Sequence, residues 1–316
     1  MDKLVIGVDG GGTKTVAWLA RVHPERESEI LGRGTAGSSN LHAVGWDQAL
    51  ANLHQAIRSA WSDAIQDFRA VEVAAFALAG AGQANAQAQI QEWVRQQGIA
   101  LNARVMHDAR AVLLAGSPLG WGVALVAGTG AVAFAEDAEG KQAIAGGWGY
   151  WFGDEGSAFW LGQTALRAAT QAVDGRGPVT RLTPAILERL EISDPREILP
   201  ALSRAGDVRQ GIAALADLVS SAAAQHDQVS RQIVDESVVH LVGLIHTAAN
   251  MLSLGNGFPL VLAGGVICGS SLILERLKQE LSNNGIDPSS LQVTREPVLG
   301  CLRWARREAV GNGLWG

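Results

Sequence analysis

Residues 8–18 read VDGGGTKTVAW, so three glycines stand between two apolar runs, with Asp9 before them and Thr13, Lys14 and Thr15 after. Glycine lets a ligand reach the main chain without a Cβ in the way, and clustered N–H groups form an anion site. The turn is not a P-loop, which needs four residues between its first glycine and Gly-Lys and then a helix. It does not fit G-x-G-x-x-G opening a helix either, because Lys14 leads into a strand. A second turn, VAGTGA at 126–131, repeats the arrangement, and LAGGV at 262–266 puts glycines after a third apolar strand. Taken singly, each reads as a tight hairpin. Together they make a phosphate site only if turns from two lobes converge across a cleft.

The elements that would place these turns alternate along the chain. LVIGV (4–8) and TVAWLA (15–20) read as a hairpin around the first turn. After the stretch GRGTAGSSNLHAVG (32–45), Trp46, Leu50, Leu53, Ile57, Trp61, Ile65 and Phe68 make one apolar helical face over 46–68. VEVAAFALAG (71–80) suits a strand buried on both faces, and the helix over about 84–97 ends at Gly98. ARVMHD (103–108) is a strand whose last residue, Asp108, can cap the helix that follows. WGVALVAGTGAVAFAED (121–137) then opens a second round of the same pattern. A long helix over 229–251 follows, with Val229, Ile233, Leu241, Leu244, Ile245, Ala248 and Met251 on its apolar face. FPLVLAGGVICGSSLILERLKQEL (258–281) reads as strand, glycine turn, helix. The last helix, 297–312, is expected to pack on the first lobe. This is an α/β chain of two lobes, with the boundary near residue 117 in GSPLG.

Composition narrows the function classes. The 316 residues are 47% hydrophobic and 18% charged, enough for two buried cores. A net charge of -6 without a Lys/Arg run argues against nucleic acid or an anionic membrane as partner. Cys268 and Cys301, the two cysteines, make neither a disulfide framework nor a metal-ligand spacing. MDKLVIGVDG opens on a strand, so no signal peptide is expected, and the apolar stretches are too short to span a bilayer. A cytoplasmic location is the default expectation.

The set DGGGTKT (9–15), HDA (107–109), AGTGA (127–131), GGWGYWFGDEGSAFWLG (146–162) and LAGGV (262–266), in that order, resembles the N-acetylglucosamine kinase branch of the BadF/BadG/BcrA/BcrD ATPases. That family belongs to the actin–Hsp70–sugar kinase superfamily. The resemblance spans essentially the whole chain, and the GGWG…GDEGS string is its most specific part. It implies two ribonuclease H-like lobes, 1–117 and 118–316, with an inter-lobe cleft. It implies ATP and Mg2+ as cofactors, a small amino sugar as partner and, from family habit, a homodimer.

Residue roles carry over from the resemblance. Gly11, Gly12, Thr13 and Lys14 would wrap the β- and γ-phosphates, and Asp9 would hold Mg2+ through water. Gly128, Thr129 and Gly130 would form a second phosphate turn, and Gly264 and Gly265 would pass under the adenosine. Asp108 would be the general base that accepts the sugar hydroxyl's proton, since phosphoryl transfer needs alignment, charge stabilisation and a carboxylate. Family members commonly carry Asn before this Asp; here it is His107. Ser39 and Asn40 of GSSN, Gly147, Trp148 and Asp154 would contact the sugar, with Glu155 in support. The same residues have ordinary readings: Asp108 as a helix cap, GSSN as a turn, Trp148 as core, DEGS as a helix start.

The implied reaction is ATP-dependent phosphorylation of the C6 hydroxyl of N-acetylglucosamine, with lobe closure aligning the reactants and excluding water. A glucosamine or other amino-sugar kinase is the close alternative, because the acetyl pocket leaves no mark in the sequence. An ATPase that activates a partner through an iron–sulfur cluster, and a silent sugar sensor, are the others. The DGRGPVT segment (174–180) carries no mechanism beyond a loop.

Overall fold

The structure, a computed structural model, describes residues 2–81, 84–117, 119–204 and 206–311, with His42 through its backbone alone. Contacts divide the chain into two units, Met1–Trp121 with Glu296–Gly316, and Gly122–Arg295.

The first unit runs β1 (Lys3–Gly10), β2 (Thr15–His23), β3 (Arg26–Ala36), α1 (Leu41–Val44), α2 (Trp46–Asp63), β4 (Val71–Leu78), α3 (Ala84–Gln96), β5 (Ala100–Met106) and α4 (Asp108–Gly116). Its sheet has the order β3-β2-β1-β4-β5, antiparallel in the β1–β3 meander and parallel from β1 to β5. The register pairs Gly10 with Thr15, so residues 11–14 form the loop between β1 and β2.

β3 falls where the sequence reading places no element. Its sequence, RESEILGRGTA, hides the strand because it is an exposed edge rich in charge and glycine. Gly32 and Gly34 are there for packing: an added Cβ would stand 2.1 Å from Ala60 O or 2.0 Å from Ala56 O, so α2 lies directly on the strand backbone. The α2 helix also stops at Asp63, short of the expected 68. Ile65, placed by periodicity on the apolar face, has φ of 51° and is 94% exposed. Phe68 instead folds back onto Trp61, with 5.8 Å between ring centroids.

Two apolar layers sandwich this sheet. Ile6, Val8, Leu53, Ile57, Phe76 and Ile90 fill the side under α2 and α3. Val5, Trp18, Ala75, Met106 and Leu114 fill the other, together with Cys301, Leu302 and Ala305 of the closing helix, Val298–Val310. Gly7 makes room for that helix, since a Cβ there would come within 2.9 Å of Leu302 N.

The second unit runs β6 (Gly122–Ala127), β7 (Ala131–Glu136), β8 (Gln142–Gly146), α5 (Ala158–Val173), α6 (Leu182–Arg189), α7 (Ile198–Arg204), α8 (Val208–Ala213), α9 (Ala216–Ala224), α10 (Gln228–Met251), β9 (Pro259–Ala263), α11 (Gly265–Gly269), α12 (Ser271–Asn283) and β10 (Ser290–Val293). The helix Val298–Val310 that returns to the first unit is α13; its expected last residue, 312, lies outside the described residues. The second sheet has the order β10-β9-β6-β7-β8, which read backwards repeats the first. β6–β7–β8 is the antiparallel meander and β6–β9–β10 the parallel half. Ala127 pairs with Ala131, leaving 128–130 as the hairpin loop. The face of α10 contains Ile233, Leu241, Ile245 and Ala248 as expected, whereas Met251 is exposed at the helix end. No described helix is long and apolar enough to cross a membrane.

Candidate functional site

In the first unit the loop 11–14 is closed by one hydrogen bond, from Gly11 N–H to Lys14 O at 3.0 Å. Gly12, Thr13 and Lys14 are exposed, and their main-chain N–H groups donate to no protein acceptor among the described residues. Such a row of open amides is what an anion requires. The segment 37–40 braces the loop from the side. Ser38 Oγ donates to Gly11 O at 3.1 Å and accepts from Asn40 N–H at 3.2 Å. Thr15 Oγ1 donates to Gly37 O at 2.7 Å and lies 2.9 Å from Ser39 Oγ. Gly10 has no room for a side chain, since a Cβ there would fall 2.1 Å from that Ser39 hydroxyl. Ser39 is fully buried, with its hydroxyl engaged by Thr15, and Asn40 is half-buried beside Gly12. Ser38, which actually holds the glycine loop, was missed within GSSN because adjacent serines are indistinguishable without the backbone trace.

Two carboxylates meet at the C-terminal ends of β1 and β5. Asp9 is pushed up to about 7, first by burial and then by the Asp108 carboxylate, with Lys14 pulling the other way. Asp108 is the first residue of α4 and half-buried. The cap of α4 is His107, not Asp108: His107 Nδ1 accepts from Ala109 N–H at 3.2 Å. Ala109 N–H also reaches Asp108 Oδ1 at 2.9 Å, and His107 Nδ1 lies 2.9 Å from that same oxygen. His107 thus takes the capping job and leaves the second Asp108 oxygen free of these bonds.

In the second unit the loop 128–130 closes by Gly128 N–H donating to Gly130 O at 2.9 Å. Its carbonyls face the start of α5, where Ala158 N–H donates to Gly128 O at 2.8 Å and Phe159 N–H to Thr129 O at 3.4 Å. The N–H groups of Thr129 and Gly130 donate to no protein acceptor among the described residues. Gly264, at φ 99°, seats β9 against this turn, since a Cβ there would stand 2.3 Å from Ala127 O. Gly265 opens α11 onto free space: a Cβ there would meet no described atom within 4 Å.

Asp154 comes to the same turn. It is 4% exposed and has φ of 63°, an uncommon setting for a residue with a side chain. Its Oδ1 accepts from Ala131 N–H at 3.1 Å, and Arg209 Nη2 lies 3.5 Å from Oδ2. Burial raises its pKa and Glu155 adds to this, while the Ala131 and Arg209 contacts oppose it. The loop before it is aromatic and open. Trp148, Trp151 and Phe152 are 77%, 76% and 85% exposed, so Trp148 is not a core residue. Gly147 N–H donates to Ala131 O at 3.0 Å and so ties this loop to the start of β7.

Within the first unit, then, Asp9, Gly11–Lys14, Ser39, Asn40 and Asp108 gather around one strand end. Within the second, Gly128–Gly130, Gly147, Asp154 and Gly264 gather around the equivalent one. Residues 6–305, which include both glycine turns, match the model of the BadF/BadG/BcrA/BcrD ATPase family. The chain belongs to that family.

Every site residue named above lies within the matched span of this BadF/BadG/BcrA/BcrD family member. It is 28% identical over 307 residues to an N-acetylmuramic acid/N-acetylglucosamine kinase of Clostridium acetobutylicum, covering 97% of this chain and 99% of the relative. It is 29% identical over 310 residues to an N-acetyl-D-glucosamine kinase of Dictyostelium discoideum, covering 94% and 96%. The crystal structure of a Chromobacterium violaceum protein described as an N-acetylglucosamine kinase superposes with a TM-score of 0.76 at 25% identity, covering 95% of this chain and 98% of that one. The two five-stranded sheets of this family member are therefore those of the actin-like ATPase and sugar kinase fold, as the sequence resemblance implied.

Proposed function

We propose that this chain transfers the γ-phosphoryl group of ATP to the C6 hydroxyl of N-acetylglucosamine, giving N-acetylglucosamine 6-phosphate and ADP. The observation that carries this reading is the pairing of Asp9 and Asp108 beside a glycine loop whose amides are open. The kinase names of relatives matched over nearly their full length support the substrate class.

Asp108 accepts the proton of the C6 hydroxyl as that oxygen bonds to the γ-phosphorus and the bond to the β–γ bridging oxygen breaks, with ADP as leaving group. Gly12, Thr13 and Lys14 bind the phosphates through N–H groups and the ammonium, with Gly11 closing the loop on Lys14 O; Thr129 and Gly130 are assigned to the phosphates as well, on the turn that the Gly128 N–H closes. Gly264 and Gly265 leave room for the adenosine. Asn40, Gly147 and Trp148 are assigned to the sugar, where an exposed indole suits the C–H face of a pyranose. Ser39 and Asp154, both buried, serve by shaping the two loops.

The donor set fits Mg2+. Two neighbouring carboxylates, one of them strained toward its neutral form by burial, favour a hard divalent cation. Among the described residues no cluster of three or more ligating side chains exists, so the ion would be held by Asp9 and by phosphate and water oxygens, as is usual for Mg2+ in kinases. When bound, it supplies charge neutralisation for the polyphosphate.

A coupled-enzyme ADP assay over N-acetylglucosamine, N-acetylmuramic acid, glucosamine and plain hexoses tests the reading, with phosphorus-coupled NMR locating the ester. Sugar-stimulated ADP release with the ester at C6 is expected. Turnover on glucosamine alone would reassign the substrate, and no sugar-dependent turnover would reject the kinase.

A further inference from the structure

Arg209 belongs to none of the motifs above, yet its guanidinium reaches two parts of the second unit. Nη2 lies 3.5 Å from Asp154 Oδ2, and the guanidinium carbon stands 5.1 Å from the centre of the Tyr150 ring. Asp154 in turn holds Ala131 N–H, the first residue after the 128–130 turn, and its two oxygens fill the space where a Cβ of Gly130 would stand, at 2.7 and 2.8 Å. Tyr150 packs on Trp151 and Phe159, with centroids 4.9 and 5.1 Å away, and so anchors the loop that carries the exposed Trp148, Trp151 and Phe152.

Local structure explains how Arg209 arrives there. It is the second residue of α8, which Asp207 caps by accepting from the N–H groups of Arg209 and Gln210. α8 lies on α5 through Gly162, where a Cβ would fall 1.9 Å from Ile212 O. Only glycine lets the two helices approach this closely. The arrangement also carries costs that packing does not require. Asp154 sits at positive φ, and Arg209 Nε is buried without a hydrogen-bond partner among the described residues. Unsatisfied and strained groups gathered in one place are a mark of a working site.

We infer that Arg209 is a positioning residue that, through Asp154 and Tyr150, locks the 128–130 turn and the 147–153 aromatic loop into one arrangement, coupling the phosphate-binding and sugar-binding parts of the second unit. This rests on the kinase reading for its effect on catalysis, though not for the lock itself. Three features bear on the charge of Asp154: Arg209 from α8, the Ala131 N–H at the start of β7, and Glu155 beside it in the chain. With Arg209 removed, burial and Glu155 act on Asp154 against the Ala131 bond alone, so its neutral form gains. An arginine that both stacks on a ring and faces a carboxylate is not replaced by lysine without loss.

The experiment compares wild type with Arg209→Met, Arg209→Lys, Asp154→Asn and the Arg209→Met/Asp154→Asn double variant, all checked for fold by circular dichroism. For Arg209→Met, kcat/KM for both ATP and N-acetylglucosamine is expected to fall about 100-fold, the size of effect that a misplacement of about 1 Å produces. The acid limb of its pH profile moves to higher pH, Arg209→Lys recovers part of the loss, and the double variant is little worse than Asp154→Asn alone. Hydrogen exchange at the Ala131 amide, read by NMR, accelerates in Arg209→Met whether or not the protein turns over sugar. Unchanged Ala131 exchange, an unmoved acid limb, or fully additive losses in the double variant would overturn the lock. If wild type phosphorylates no sugar while Ala131 exchange responds as expected, the kinase reading falls and the lock stands.

Discussion

Replacing Asp9 by Asn should make the ligand-free protein more stable while destroying its activity. The Asp9 carboxyl titrates at about 7 in the fold against 3.8 as its ordinary value, because burial and the Asp108 charge both oppose ionisation. A folded state that holds a proton more tightly than the unfolded chain loses stability as pH rises between the two values. The contribution of Asp9 is therefore fully present below about pH 3.8, is lost through the window up to about 7, and stays lost above it. The gap corresponds to roughly 4 kcal/mol at most, and part exposure of the side chain brings the expected figure to about 2–4 kcal/mol. Asn is isosteric with the neutral form and avoids this cost. Urea melts in chelator at pH 8 are expected to place Asp9→Asn about 2–4 kcal/mol above wild type, with the two converging near pH 4. The coupled ADP assay should find turnover of the same variant reduced by orders of magnitude. If Asp9→Asn is equal to or weaker than wild type at pH 8, the carboxyl is not desolvated as described, and the argument for a cation at this strand end goes with it.

Four more outcomes follow from other positions. Asp108→Asn should lower kcat by about 10²- to 10⁴-fold while sugar binding, followed by tryptophan fluorescence, persists. Gly130→Ala drives a Cβ to within 2.7 Å of the buried Asp154 carboxylate and should cost about 1–3 kcal/mol in urea melts, with a raised KM for ATP. Gly162→Ala, whose Cβ would meet Ile212 O at 1.9 Å, should push α8 off α5 and reproduce the shifted acid limb of Arg209→Met in a pH–rate profile. Arg303→Met removes the Nη1 donor that reaches Leu114 O at 3.2 Å and Ala115 O at 2.5 Å, closing the end of α4; thermal melts should register about 1–3 kcal/mol of lost stability.

Much of this molecule was legible before its structure. Strands such as β4, buried along almost their whole length, announce themselves as unbroken apolar runs, and the face of α10 repeats at helical spacing. β3 and β10 were not legible, because both carry polar residues on exposed sheet edges where no face demands alternation. The end of α2 was misplaced because Phe68 fits the helical spacing but reaches Trp61 from beyond the helix. At the site, Asp9, Asp108 and the glycine turns were singled out through the family resemblance, since residue type alone also fits plain hairpins and a helix cap. Ser38 and Arg209 were not, since each acts through a contact whose partner is distant in the sequence, 27 positions for Ser38 with Gly11 and 55 for Arg209 with Asp154.

By itself the sequence determined the two-fold repetition of strand, glycine turn and strand, and which carboxylates stand at strand ends, because backbone freedom and hydrophobic period are local properties. Only the tertiary structure decided which polar atoms are engaged inside the protein and which stay open. Ser39 and Asp154 are chemically able to bind a sugar, yet the fold buries both and engages them with Thr15, Ala131 and Arg209. The same fold leaves Trp148 in the open and brings Asp108 close enough to Asp9 to raise its pKa. Burial and the distance between charges are set by packing among residues far apart in the chain, and no local pattern encodes them.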